Sequence, residues 1–195
     1  MWDERYSADE YAYGKEPNDF LREHASLLPA GRVLCLAEGE GRNAVYLAQL
    51  GYQVVAVDSS SAGLKKAQRL ADECEVTIET LQADLDSFDF GQEQWQGIVS
   101  IFCHLPPATR RKVHSQVLTG LKSGGILLLE AYTPRQLEFK TGGPAVAEMT
   151  MTADSLSSEL KGMDFLELNE LDREVHEGIY HHGTGAVVQL IARKA

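Results

Sequence analysis

Short, mainly apolar segments recur along this chain, and helix-like segments separate them. The apolar segments are residues 32–37, 53–58, 76–81, 97–102 and 125–130, in which Val, Ile and Leu predominate. Their hydrophobicity is continuous rather than alternating, which is typical of strands covered on both faces. This rhythm predicts an α/β fold in which crossover helices wrap a mainly parallel sheet.

Helices are predicted over four segments: 43–50, 60–71, 108–121 and 152–160. Residues 87–95 are too few for a crossover helix. After the last helix the rhythm changes, because two strand-like segments, 165–175 and 185–193, are joined only by the turn region 177–184. Strands joined by so short a connection are expected to be antiparallel.

Length and charge narrow the function classes. A chain of 195 residues favours a single domain with a full hydrophobic core, spanning 1–195. The formal net charge of −11 disfavours nucleic acid as a partner, so a small molecule is the expected substrate. The basic cluster 110–112 is expected to be a solvated helix face. We expect a monomer or homodimer.

Cysteine content and hydropathy indicate a cytoplasmic protein. The three cysteines are an odd number without C-x-x-C spacing, so neither a disulfide framework nor a zinc site is expected. No apolar run approaches the ~20 residues that span a bilayer, so no membrane partner is expected. His176, His181 and His182 near one turn invite a metal hypothesis, but no fixed ligand spacing supports it and no metal is predicted.

A glycine-rich turn follows the first predicted strand. Gly39 and Gly41 allow tight backbone geometry and the close approach of a ligand. The helix that follows presents unpaired N–H groups and the positive end of its dipole. Because the spacing of Gly39, Gly41 and Ala44 also fits a relaxed dinucleotide fingerprint, a nicotinamide-dependent enzyme remains an alternative.

Acidic residues end the next two strands. Asp58 closes the second strand, where its carboxylate could accept hydrogen bonds from a ribose diol, although it could also cap the helix near Ser60. Asp84 follows the third strand, where it could accept from an adenine amino group while Leu85 packs on the ring. Three features at the ends of successive strands together predict an adenosine site.

These residues resemble the class I methyltransferases, and more narrowly the small bacterial proteins related to the tellurite-resistance methyltransferases. The resemblance runs over nearly the whole chain. Besides Asp58 and Asp84, the residues that carry it lie at 2–6, 13–18, 38–43 and 124–125.

The resemblance implies S-adenosylmethionine as the cofactor and a Rossmann-like, doubly wound sheet of seven strands in the order 3-2-1-4-5-7-6, with strand 7 antiparallel. It implies that residues 1–30 form an N-terminal lid and helix and that 31–195 form the core. The cofactor contacts it implies are listed by position: Tyr13 in the lid, Glu38, Gly39, Gly41, Arg42 and Asn43 in the glycine loop and at the helix start, Asp58 and Ser59 after strand 2, Asp84 and Leu85 after strand 3, and Phe102 after strand 4. Of these, Gly39 and Gly41 would line the methionine moiety, and Arg42 and Asn43 would help to bind its carboxylate.

One departure from the family pattern concerns the first strand. That strand usually carries acid-x-Gly before the glycine loop, whereas this chain reads Cys35-Leu36-Ala37. The missing acid removes a usual partner of the loop and of the methionine ammonium. Glu38, within the loop, is the residue that could compensate.

The acceptor side is expected at the ends of strands 4 and 5. His104 is the best-placed acid/base or polar contact, although a histidine hydrogen-bonded into its loop fits equally well. Tyr132 could contact a cationic or apolar acceptor, and residues 141–144 could wall the pocket. Methyl transfer needs a general base only when the acceptor must lose a proton, so the lack of an obvious dyad does not exclude catalysis.

Methylation of an unidentified small molecule is therefore the predicted activity. Two alternatives stay open: an NAD(P)-dependent oxidoreductase that uses the same glycine loop, and a binding module that has kept the cofactor site and lost catalysis.

Overall fold

A computed structural model describes residues 2–195. From β1 to β5 a helix separates successive strands except between β3 and β4, and the chain ends in a long β-hairpin. The elements are α1 (Trp2–Arg5), α2 (Asp19–His24), β1 (Arg32–Leu36), α3 (Arg42–Gln49), β2 (Gln53–Asp58), α4 (Ser61–Glu73), β3 (Glu79–Gln82), β4 (Trp95–Ile101), α5 (Pro107–Gly120), β5 (Leu121–Tyr132), α6 (Gln136–Phe139), α7 (Ala153–Glu159), β6 (Met163–Glu177) and β7 (His181–Lys194). Single 3₁₀ turns occur at Ala25–Leu27 and Ala147–Met149.

The seven strands form one sheet in the order β3-β2-β1-β4-β5-β7-β6. Strands β1 to β5 pair in parallel, and β7 runs antiparallel to both β5 and β6. The predicted Rossmann-like strand order and the antiparallel final hairpin are confirmed.

Both faces of the central strands are buried, which explains their unbroken hydrophobicity. Leu34 and Leu36 of β1 pack on one side of the sheet with residues of α5 and α7. Val33 and Cys35 pack on the other side with residues of α2, α3 and α4. Successive side chains of a strand point to opposite faces, so one five-residue strand contributes to two apolar layers.

Several element bounds differ from the sequence prediction. The third strand begins at Glu79 rather than at residue 76, and residues 83–94 connect β3 to β4 without a helix. The final hairpin is longer than expected, because cross-strand pairing continues as far as Glu177 and His181. Only residues 178–180 separate the two strands, so the predicted eight-residue turn is wrong.

The basic cluster at 110–112 is only partly solvated, which corrects the expectation. Arg110 is 7% exposed and forms a buried ion pair with Glu159, with 2.9 Å between Nη2 and Oε1. Its Nη1 donates to the backbone carbonyls of Glu148 and Thr150. The guanidinium therefore ties α5 to α7 and to the loop before it. No helix within residues 2–195 is long and apolar enough to cross a membrane.

Candidate functional site

A cavity of about 660 Å³ opens at the carboxyl ends of the parallel strands, the edge of an α/β sheet where ligands bind. Its volume lies within the range of small-molecule sites. Most of the residues predicted from the sequence border it: Tyr13, Glu38, Arg42, Asn43, Asp58, Ser59, Asp84, Leu85, Phe102 and His104. Gly39, Gly41 and Tyr132 do not border it.

Glu38 forms part of the cavity floor and caps the helix behind it. Its Oε1 accepts hydrogen bonds from the backbone N–H groups of Asn43 at 3.0 Å and Ala44 at 2.7 Å. These donors belong to the first turn of α3, which has no intrahelical partners for them. Burial raises the pKa of Glu38 to about 7, against the lowering effect of the Ala44 N–H and of Arg42. The Glu38 carboxyl group therefore titrates near neutral pH.

The two loop glycines serve the packing of the loop. Gly39 has φ +61°, and a Cβ there would lie 2.6 Å from the Tyr6 hydroxyl. Gly41 has φ +89°, and a Cβ there would lie 2.6 Å from the Cβ of Ala67 on α4. Gly41 thus lets α3 and α4 approach closely, and Gly39 lies beneath the N-terminal segment. Neither position supports the predicted lining of a methionine moiety.

Asp58 ends β2 and joins the glycine loop to the start of α4. Its Oδ2 accepts from the N–H of Gly39 at 2.8 Å, and its Oδ1 accepts from the N–H of Ser60 at 2.8 Å. Burial raises its pKa, and the Ser60 and Gly39 N–H groups oppose that rise. An ionised carboxylate offers about four acceptor positions, so capacity for a diol remains.

The third acid occupies the open rim of the cavity. Asp84 is exposed, and its Oδ1 accepts from the N–H of Asp86 at 2.9 Å, which closes a turn after β3. Leu85 next to it is buried, and Ser59 lies exposed across the rim. The Asp84 carboxylate can accept a hydrogen bond from the edge of a planar ring, and the Leu85 side chain beside it can pack on the face of that ring.

Arg42 and Asn43 are already engaged within the protein. Nη2 of Arg42 lies 2.5 Å from Oε2 of Glu177, while its Nη1 is buried and has no partner among the described residues. Asn43 Oδ1 accepts from the backbone N–H of Asn18 at 2.9 Å. Arg42 therefore has one free donor edge, and Asn43 holds the segment that leads into α2.

Behind Arg42 lies a buried charge network that the sequence does not predict. Glu130 is fully buried and accepts from Nε of Arg173 at 2.7 Å, and Arg173 also reaches Glu177 at 3.2 Å. Asn18 Nδ2 donates to Glu177 at 2.8 Å. Two carboxylates thus face two guanidiniums. Because the cost of burying these charges offsets much of their attraction, the network fixes the positions of the side chains more than it adds to the free energy of unfolding. Burial opposes ionisation of Glu177, but the charge of Arg42 holds its pKa well below the usual range.

Residues 2–17, the N-terminal strap, form the roof of the cavity. Lys66 of α4 anchors the strap, because its Nζ donates to the carbonyls of Ala8 at 2.8 Å and Glu10 at 2.7 Å. The same Nζ pairs with Oε1 of Glu40 at 2.6 Å, and both side chains are buried. The strap is therefore fastened to α4.

The strap also meets the final hairpin over the cavity. The N–H of Ile179 donates to the carbonyl of Ala12 at 2.9 Å. Tyr13 packs on His181 with 4.7 Å between ring centroids, and its hydroxyl accepts from Arg5 at 3.0 Å. Tyr180 covers the Arg5 guanidinium, whose carbon lies 4.5 Å from the ring centroid.

The two predicted acceptor contacts, His104 and Tyr132, are held in other roles. Nε2 of His104 accepts from the backbone N–H of Tyr132 at 3.0 Å. Burial, together with His181, lowers the pKa of His104 to about 3, so the ring is neutral and its lone pair is occupied. Tyr132 has no exposed surface and lies behind Phe102, with 4.5 Å between the ring centroids. This geometry does not support a base role for His104 or acceptor contact by Tyr132.

Other residues complete the cavity wall. Residues 142–146 and Met149 border it, in part as expected for 141–144, and His181 and Tyr180 close it from the hairpin. For His181 the sequence signal was the histidine cluster, which suggested a metal instead, and Tyr180 had no sequence signal. Within residues 2–195 no group of three or more His, Cys, Asp or Glu side chains is placed to hold a metal ion.

Comparison with known proteins places these features in context. A family model described as a methyltransferase domain matches residues 33–125, from β1 to the start of β5. TehB of Haemophilus influenzae, described as a probable S-adenosyl-L-methionine-dependent methyltransferase, is 28% identical over 159 residues. The match covers 78% of this chain and 53% of TehB, so the chain spans about half the length of this curated relative.

Solved structures share the fold at low sequence identity. The TehB crystal structure superposes with a TM-score of 0.75 at 22% identity, over 100% of this chain and 66% of that one. A protein from a study of the conversion of a disulfide bond into a thioacetal group during echinomycin biosynthesis has a TM-score of 0.75 at 17% identity, covering 97% and 86% of the two chains. The [4+2]-cyclase SpnF has a TM-score of 0.69 at 18% identity, covering 96% and 87%. Such likeness supports the fold, which alone does not decide the reaction.

Proposed function

We propose that the chain is a class I S-adenosylmethionine-dependent methyltransferase that methylates a small-molecule acceptor, a proposal supported by the methyltransferase-domain match and by the likeness to TehB. When bound, S-adenosylmethionine supplies an electrophilic methyl group on a sulfonium sulfur. The observation that carries the proposal is the set of acids, Glu38, Asp58 and Asp84, along one side of the cavity at the ends of successive strands.

The donors and acceptors of the cavity match the polar groups of this cofactor. In the proposal, Asp58 receives the ribose diol, and Asp84 with Leu85 takes the edge and face of the adenine ring. Glu38 faces the methionine ammonium. It takes the place of the acidic residue that the family pattern has at the position of Cys35. The unpaired Nη1 of Arg42 is the donor for the carboxylate.

Closure of the site is assigned to the N-terminal strap, so residues 2–30 act as lid and helix and 31–195 as the core of one domain; residue 1 of the predicted 1–30 segment lies outside the described residues. Support comes from the Lys66 and Ile179 hydrogen bonds that hold the strap on both sides of the cavity. A closed roof excludes water and leaves the reacting groups little freedom, which favours an in-line displacement.

The acceptor is assigned to the end of the cavity bordered by Phe102, His181 and residues 142–146. The net charge of −11 supports a small molecule rather than nucleic acid as the acceptor. Action as a monomer or homodimer in the cytoplasm is part of the same proposal; the three free cysteines are consistent with a reducing compartment.

Calorimetric titration with S-adenosylmethionine, S-adenosylhomocysteine and NADH tests the proposal. We expect micromolar binding of the two adenosyl ligands and none of NADH. Binding of NADH alone would contradict the proposal in favour of an oxidoreductase. Binding of the adenosyl ligands without methyl turnover on thiols, phenols, amines or chalcogen anions would favour a catalytically silent module.

A further inference from the structure

Two histidines border the cavity, and they differ in the state of their ring nitrogens. The lone pair of His104 Nε2 is used by the N–H of Tyr132. The ring of His181 has no hydrogen-bond partner within 3.5 Å among the described residues, and its Nδ1 is buried. His181 is therefore the histidine of this wall whose Nε2 is not engaged by the protein.

Aromatic rings fix the orientation of His181. The residue opens β7 and is 7% exposed. Its ring lies edge-on to Phe102 and Tyr132, with centroid distances of 4.8 Å and 5.3 Å, and it packs on Tyr13 of the strap. A side chain packed on three sides has little rotameric freedom, as a group that transfers a proton requires.

A carboxylate stands behind the ring. Oε2 of Glu177 lies 3.8 Å from Nδ1 of His181, across the hairpin turn. Arg42, Asn18 and Arg173 hold that carboxylate in place. A carboxylate facing Nδ1 favours the tautomer with hydrogen on Nδ1, which leaves the Nε2 lone pair free. Hydrogen bonds of this kind are often long before a substrate is bound.

We propose that His181 is the general base for an acceptor that carries a weakly acidic S–H or O–H group, with Glu177 as its positioning residue; this rests on the proposed methyl transfer. Nε2 takes the acceptor's proton. The freed electron pair of the acceptor forms the bond to the methyl carbon. The pair of the broken carbon–sulfur bond stays with the departing sulfur, and the proton remains on the imidazolium beside Glu177.

The charges around His181 suit this role. Burial lowers its pKa, Glu177 of β6 raises it, and Arg42 of α3 and Arg5 of the strap lower it. The other titratable groups that face it are the Tyr13 and Tyr132 phenols and His104, which is neutral. The ring is therefore unprotonated at neutral pH and next to a carboxylate that stabilises the imidazolium.

A pair of thiols tests the base role. Benzyl mercaptan keeps its proton at neutral pH, whereas 4-nitrothiophenol is already ionised. We expect His181→Asn to lower kcat at least ~100-fold for benzyl mercaptan and less than about threefold for 4-nitrothiophenol. The matched control is His182→Asn, an exposed neighbour outside the cavity, which should leave both rates unchanged. An equal loss with both thiols, or no loss, would overturn the proposal.

An NMR titration of the imidazole nitrogens gives a readout that needs no turnover. We expect His181 in the wild-type protein to carry its proton on Nδ1 and to titrate below pH 6.5, and Glu177→Gln to lower its pKa further. A wild-type ring protonated on Nε2 at neutral pH overturns the proposal, and this measurement stands even if Glu177→Gln does not fold. Binding of S-adenosylhomocysteine, which His181→Asn should not change, tests the proposed function separately.

Discussion

Oε1 of Glu38 lies 2.7 Å from the backbone nitrogen of Ala44 and accepts its hydrogen bond. One acidic side chain in the loop thus caps α3 and also faces the cavity, where the family usually relies on an acid in the preceding strand. Cys35 occupies that position here. It is fully buried in the core and does not border the cavity. Glu38 consequently combines two roles, and its protonation affects both.

Cofactor affinity should depend on the ionisation of Glu38. Its pKa of about 7 in the folded protein lies above the ordinary value of 4.5. An ammonium group favours the ionised carboxylate, so affinity for S-adenosylhomocysteine should rise about tenfold from pH 6 to pH 8. Calorimetry at several pH values measures this change. Glu38→Gln keeps the helix cap and should abolish the pH dependence, whereas the exposed Glu23→Gln should retain it.

The same shift fixes the sign of a stability effect. Because its pKa is raised in the folded state, Glu38 binds its proton more tightly in the folded protein than in the unfolded chain. The contribution of protonated Glu38 to the free energy of unfolding is therefore lost as the pH rises from about 4.5 through 7. Glu38→Gln should therefore be more stable than wild type above pH 7 and similar to it near pH 4.5. Equal denaturation midpoints for the two proteins at pH 8 would contradict this.

Removal of the Asp58 carboxylate should weaken binding of the adenosyl ligand. Asp58→Ala is expected to cost ~2–3 kcal/mol of binding, roughly 30- to 150-fold in Kd, because charge-assisted hydrogen bonds to the ribose are lost. Unfolding should also become easier, since the N–H groups of Gly39 and Ser60 lose their acceptor. Asp72→Ala, an exposed acid on α4, is the control. An unchanged Kd would mean that the ribose lies elsewhere.

Ala37 adopts a backbone conformation that favours glycine. Its φ is +48°, a left-handed value that costs a residue with a Cβ about 1–2 kcal/mol. Ala37→Gly should therefore leave stability unchanged or raise it by up to ~1 kcal/mol in chemical denaturation. In the helical control Ala48→Gly, in α3, we expect a loss of ~1 kcal/mol. Comparable losses at both sites would show that Ala37 is unstrained.

Lys66 should control how often the strap opens. Lys66→Met removes its bonds to the carbonyls of Ala8 and Glu10 and leaves Glu40 buried without a cation. Opening of the strap hydrates that carboxylate, so amide exchange in residues 8–13 should accelerate at least tenfold. Hydrogen-exchange mass spectrometry measures this. Lys65→Met, an exposed neighbour, should not change the exchange rate.

The parallel α/β architecture and the location of the cavity were predictable because they depend on local patterns, whereas the strand order followed from the family resemblance. Continuous apolar runs identify strands covered on both faces, and acids at strand ends fall on one edge of a parallel sheet. Asp58 and Asp84 could be placed in this way, without knowledge of any distant contact.

The hairpin side of the site could not be predicted because it depends on long-range pairing. Glu177 and His181 are residue types that are usually exposed, and both lie near a turn. Only the register between β6 and β7 brings His181 to the cavity beneath the strap, with Glu177 behind its ring. His104 had the expected position, but nothing in its neighbourhood in sequence indicates that the N–H of Tyr132 uses its lone pair. The roles of these side chains depend on the hydrogen-bond partners that they meet only in the folded protein.

The hydrogen bond between Ile179 and Ala12 constrains the order in which the protein can mature. A ribosome adds about 5–20 residues per second, so the strap emerges on the order of ten seconds before the hairpin that it must meet. Until β6 and β7 are made, the strap can rest only on α4 and the glycine loop, and the cavity lacks the wall that the hairpin supplies. The cavity is therefore complete only when nearly the whole polypeptide has been made, and a ligand that needs all of its walls can stabilise only such a chain.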